Sequence, residues 1–178
     1  MKKNISIWQV AGMTFTAILG TLLHFLFGWF SIKFIASFSA VNESTWEHMK
    51  LLFVPSFIFA IIQSFFAKND YKCFWLVKLI GIVIGTLLIP ILFYTLGGAF
   101  GELSAIINIS IFFVAVISQY LIEMFLFGKI DCALSVKWVC FIALLLIFVL
   151  FVVFTFYPPK IPLFLDPLTS KYGIILRS

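Results

Sequence analysis

Five stretches of this chain are each about twenty residues long and almost wholly apolar. They run from about Ile7 to Phe30, Trp46 to Ala67, Phe74 to Leu96, Leu103 to Phe127 and Val136 to Tyr157. About 20 apolar residues is what a helix needs to cross the hydrocarbon of a bilayer. Lipid offers no hydrogen bonds, so each crossing segment must satisfy its own backbone, which a helix does. The predicted fold is therefore an all-α membrane protein, a bundle of about five transmembrane helices over residues 1–157. Composition agrees: only 11% of residues are charged, against about a quarter in soluble domains.

The net charge of +5 does not point to nucleic acid. The lysines stand singly between apolar runs, as membrane flanks do, rather than on a phosphate-binding face. Lysine bias sets an expected orientation in a cytoplasmic membrane, with the N-terminus inside and the C-terminus outside. The inner side then holds Lys2, Lys3, Lys68, Lys72, Lys78, Lys129 and Lys137 against Asp70, Glu123 and Asp131. The outer side holds Lys33, Lys50, Lys160, Lys171 and Arg177 against Glu43, Glu47, Glu102 and Asp166. The first apolar run is longer than the core of a signal peptide and lacks a clean cleavage site, so it reads as a retained span. Ile32–Val41 is too short to cross and reads as a re-entrant or interfacial segment. Pro55 and Pro90 fall within spans, where kinks are expected. Cys73, Cys132 and Cys140 show no metal-binding spacing. The orientation puts the first two at the cytoplasmic face, so free thiols and no disulfide are expected.

Polar residues inside such a chain attract most interest. Gly12, Thr16, Gly20, His24 and Gly28 recur every four residues, which places them as a slowly drifting stripe on one helix face. Small residues let helices approach closely in lipid, so the stripe, and His24 with it, is expected to face protein. Gly81 and Gly85 give a similar signal on the third span. An ionisable residue within a span is a functional candidate; packing against a neighbouring helix is the competing account of His24.

The segment SAVNESTWEHMK, Ser39–Lys50, leads into the second span. Ser44 and Glu47 fit a capping box, and Glu47 suits the positive end of a helix dipole. Lys50 is placed to pair with Glu47 at i, i+3, and Trp46 reads as an interfacial anchor. Glu43 and His48 are left without a structural account. His24 lies about 9 Å from its helix end and His48 about 3 Å from its own, at 1.5 Å per residue, both in the outer half. Were the helix to begin at Asn42, Glu43 and Glu47 would share a face and repel unless they shared a proton or a cation.

After Tyr157, Pro158, Pro159, Pro162 and Pro167 forbid a continuous helix, yet Leu163, Phe164 and Leu165 are too apolar for a free tail. Residues 158–178 are expected to fold over the outer mouth of the bundle, with turns at Asp166-Pro167 and Tyr172-Gly173. Asp166 either caps a turn or completes a polar site. Glu102 either favours the start of the fourth span or joins that site. Glu123 lies near the inner end of that span, with Lys129 as its expected partner.

SAVNESTWEHMKLLFVP, preceded by LLHFLFGW and followed at the end by FYPPKIPLFLDPLTSKYGI, resembles a family of uncharacterised small bacterial membrane proteins, a domain of unknown function. The resemblance covers nearly the whole chain. It implies a polytopic membrane protein and supplies no activity.

The candidate ligand-binding residues are His24, Glu43, Glu47, His48, Glu102 and Asp166. Among them His24, Glu43 and His48 are candidate metal ligands. The leading expectation is an outward-facing polar pocket that binds or transports a small cationic solute, a proton or a divalent metal ion. The alternatives are an intramembrane enzyme, metal- or His/Glu-dependent, acting on a lipid or amphiphile, and a non-catalytic subunit with a homo-oligomeric or other membrane partner. A haem held by His24 and His48 is a further cofactor reading.

Overall fold

The structure, a computed structural model, describes residues 5–67, 71, 73–133 and 136–174. Lys2, Lys3, Lys68, Asp70, Lys72 and Arg177, which enter the orientation argument, lie outside the described residues. The apolar runs form α1 (Ile5–Phe30), α3 (Thr45–Ala67), α4 (Phe74–Phe100), α5 (Ala105–Leu126) and α6 (Val136–Phe156). These five are long and apolar enough to cross a membrane. By length and composition the chain is a multi-pass membrane protein. The segment after α1 forms a single helical turn, α2 (Lys33–Ala36), followed by a loop. Helices α3 and α4 run unbroken through Pro55 and Pro90. Helix α4 passes its predicted end at Leu96 and stops where Gly101 takes φ 82°, a backbone state that glycine enters without steric cost.

Helix α3 is the axis of the bundle. Its span is 72% buried against 22–39% for the others, and it packs against α1, α4, α5 and α6. The interior is unusually polar and the exterior apolar. Thr16, Ser56, Gln119 and Glu123 are buried, while Ile18, Leu22, Ile117, Leu121 and Leu146 are exposed. That arrangement suits a lipid solvent, in which apolar side chains gain little from turning inward and polar ones seek partners between helices.

The small-residue stripe is a contact face over most of its length. A Cβ on Gly12 would lie 2.5 Å from both Phe59 and Tyr120, and one on Gly20 2.7 Å from the Leu51 carbonyl. The stripe ends before Gly28, which has open space around it. On α4, Gly81 makes room for the Glu123 side chain. Glu123 pairs with Lys78, its Oε2 lying 2.6 Å from Nζ, and not with Lys129, as the sequence suggested. Lys129 instead lies over the Phe125 ring at 3.3 Å. Gln119 Nε2 donates to Glu123 Oε1 (3.0 Å), and Ser56 Oγ donates to Gln119 Oε1 (2.9 Å). Glu123 thus has an ionic and a separate hydrogen-bonded partner, and Lys78 has the carboxylate together with the rings of Phe59, Phe74, Tyr120 and Phe127 around its Nζ, without which the burial would be prohibitive.

The expectation of free thiols is overturned at one pair. Cys73 and Cys132 form a disulfide with Cα atoms 5.8 Å apart, while Cys140 is free and buried as expected. The two cysteines are 59 residues apart in sequence. Packing of Tyr71, Phe74 and Val77 against Phe127 draws the α3–α4 and α5–α6 connections together, which no spacing rule conveys.

Candidate metal centre

At the other end of the bundle the segment between α2 and α3 is tied down on both sides. The Ser39 hydroxyl donates to the Leu23 carbonyl and accepts from the Phe27 N–H, and the Ala40 N–H donates to the same Leu23 carbonyl. These bonds fasten the segment to the turn of α1 that carries His24. Asn42 Oδ1 accepts from the Ser44 N–H (2.9 Å), and its Nδ2 donates to the Gly173 carbonyl of the tail (2.9 Å). Helix α3 begins only at Thr45, so Glu43 precedes it and projects from a constrained turn rather than from a helix face.

His24, Glu43 and His48 come together. Glu43 Oε1 lies 3.6 Å from His24 Nε2, and Oε2 lies 3.6 Å from His48 Nε2. One ligand atom from each of the three lies within 4.8 Å of the other two. The Glu43 side chain is 42% exposed and the histidines about a quarter exposed. His48 Nδ1 is 2.9 Å from the Ser44 carbonyl. A carbonyl only accepts, so Nδ1 carries a proton, and Nε2 is the nitrogen turned toward Glu43. Such an outer hydrogen bond sets the tautomer and ring orientation of metal-ligating histidines. The 3.6 Å separations exceed hydrogen-bond length. They come close to the edge of a tetrahedral site, roughly 3.3 Å for zinc bonds of 2.0–2.1 Å.

The other candidates lie apart from this triad. The Glu47 N–H reaches Ser44 Oγ at 3.4 Å, which is half of the capping box. The other half does not form, because Ser44 N–H is taken by Asn42. The Glu47 carboxylate is 2% exposed and sits 2.6 Å from Lys50 Nζ. It also accepts from the Val41 N–H (3.2 Å) and the Thr155 hydroxyl (3.0 Å). Lys50 Nζ donates to the Ala36 carbonyl and to Thr155 Oγ1. Glu47 therefore pins the 37–44 segment from beneath and is already saturated. Asp166 accepts from the Leu168 N–H (2.9 Å) and the Thr169 hydroxyl (2.7 Å), as a turn cap does. It borders a cavity of about 400 Å³ with His24 and Glu43. Glu102 is exposed and borders a second cavity, of about 670 Å³, with the triad.

Sequence reasoning passed over two contributors. Thr155 joins Glu47 and Lys50 from α6, and a lone Thr near a helix end carries no warning of that. Asn108 lines the larger cavity, and its buried Oδ1 has no hydrogen-bond partner in the protein. As a polar residue within an apolar run, Asn108 was the more visible of the two.

The chain belongs to a family of unknown function (DUF6512), whose profile matches residues 1–174. No curated protein and no solved structure matches it.

Proposed function

We propose that this member of the family binds a divalent metal ion through His24, Glu43 and His48, at the outer face of a cytoplasmic membrane with its N-terminus inside. The observation that carries this reading is the convergence of two imidazole nitrogens and a carboxylate from three separated positions, with one imidazole oriented by a hydrogen bond at its outer nitrogen. Two histidines and one carboxylate form a donor set used by zinc, with a fourth position left open. Both Nε2 atoms face one carboxylate, an arrangement for a bare ion rather than for a haem plane between two rings. The exposure of Glu43 gives the ion a way in from the aqueous side.

Elemental analysis of purified protein, followed by titration of the stripped protein with Zn²⁺, tests the proposal. One ion per chain is expected, lost in Glu43→Ala and in His48→Ala. Unchanged zinc binding in both variants overturns it.

A further inference from the structure

The larger cavity is not needed to hold an ion. It extends from the triad down between α1, α4 and α5, at about 670 Å³, a size typical of small-molecule sites. Its walls are mostly apolar, with Ile89, Phe93, Ile111 and Phe112 among them. Its carboxylates are Glu43 and Glu102, with His24 and His48 beside them and Thr21, Thr45 and Asn108 as neutral polar groups. No Lys or Arg is among the lining residues. Phe25, Ile109 and Phe113 line it and are 50%, 57% and 41% exposed. They lie on the apolar exterior, so the cavity opens toward lipid as well as toward the mouth. Leu168 of the tail, 79% exposed, stands at its rim.

We infer that this cavity binds a single-chain amphiphile whose head group donates hydrogen bonds and carries no net negative charge, a hydroxyl or an ammonium on a long alkyl chain. The chain lies along the apolar wall, and the head meets Glu102 and Asn108. Charge decides the class. Two carboxylates and no cation would repel a fatty-acid carboxylate or a phosphate monoester. A divalent ion on the triad would neutralise Glu43 and Glu102 together, so the preference for a donating head belongs to the metal-free site and is read there.

The test uses the full chain stabilised in amphipol, with bound molecules counted by native mass spectrometry. The probes are a C16 monoacylglycerol, hexadecylamine and palmitate. Each is presented to metal-stripped and zinc-loaded protein, so failure of the metal proposal shows separately as absence of zinc. The monoacylglycerol or the amine is expected to bind saturably at one per chain, and the two arms distinguish hydroxyl from ammonium. Palmitate is expected to bind the metal-stripped protein at least tenfold more weakly, and the head-group preference is judged in that arm. Gly97 lines the cavity, and an added Cβ there meets nothing within 4 Å. Gly97→Trp should therefore fill the cavity and reduce binding at least tenfold. Gly98 has the same open surroundings but is not among the lining residues, so Gly98→Trp should bind as the parent does. Saturable palmitate binding of equal strength, absence of binding by both donor probes, or equal effects of the two tryptophans overturns the inference. A melting temperature for each variant separates loss of fold from loss of site. Should Gly97→Trp not fold, Asn108→Leu takes its place, with weakened binding expected and parental binding counting against the site.

Discussion

At the scale of single residues, Glu43 and Glu47 show how position decides the fate of a carboxylate. They are four apart, yet one is 42% exposed between two histidines and the other is 2% exposed against a lysine. Breaking the Glu47–Lys50 pair leaves an uncompensated buried charge, which costs about 3–5 kcal/mol. Lys50→Ala is therefore expected to lower the melting temperature sharply, while the double change Glu47→Leu with Lys50→Met restores much of it. The same Lys50→Ala change should also loosen the 37–44 segment and weaken metal binding. The triad itself follows proton competition. A metal ligates neutral imidazole, so binding releases protons, and zinc affinity is expected to fall as pH drops. A titration series over several pH values checks the sign; affinity that rises on acidification would exclude imidazole ligands. The tail acid Asp166 accepts from its own turn, the account that the chemistry of Asp before a Pro favoured in the sequence, and it also borders the smaller cavity.

The elements obey their local patterns well. Predicted and observed helix ends agree closely except for α4, where the glycines after Leu96 did not end the helix because a helical glycine is tolerated at modest cost. The stripe on α1 makes a sharper prediction. Gly12→Leu forces a side chain into Phe59 and Tyr120, and overpacking of this kind costs about 1–3 kcal/mol. Gly28→Leu enters open space and should leave the thermal unfolding curve unchanged. Equal destabilisation by both would mean that the stripe is not one graded contact face. His24 lies between these two regimes on the same helix, where close packing gives way to a cavity. That position explains how it can be held by its helix and still face a ligand.

Across the whole molecule, the tail is part of the bundle rather than an appendage. Phe164 is 4% exposed, with its ring centre 4.7 Å from that of Trp46, and Asn42 holds the Gly173 carbonyl. Phe164→Ala is expected to cost about 3–5 kcal/mol, measured by thermal unfolding; a loss below 1 kcal/mol would mean the tail only rests on the surface. Orientation is a second question at this scale. Two of the lysines counted for it, Lys50 and Lys78, are buried in ion pairs and so drop out of the loop bias. The N-inside proposal places the Cys73–Cys132 end in the cytoplasm, where disulfides seldom persist. Under that proposal the pair is a dithiol in cells, and an impermeant thiol reagent should not reach it from outside, even after an impermeant reductant. Labelling of Cys73 on intact cells would turn the molecule over.

The number, length and rough limits of the spans were readable in the sequence because hydropathy over about twenty residues is a local property. So were the close-packing face of α1, the cap at Ser44 and the turns of the tail, each set by neighbours within a few positions. Partner choice was readable only locally, as in the Glu47–Lys50 pair at i, i+3, and His24, Glu43 and His48 were named together without their geometry. That Glu123 meets Lys78 and not Lys129, and that Cys73 meets Cys132, depend on how helices distant in sequence rotate and stack. That rotation is decided jointly by many interhelical contacts, because members of a buried polar network depend on one another, and only the tertiary structure records the outcome.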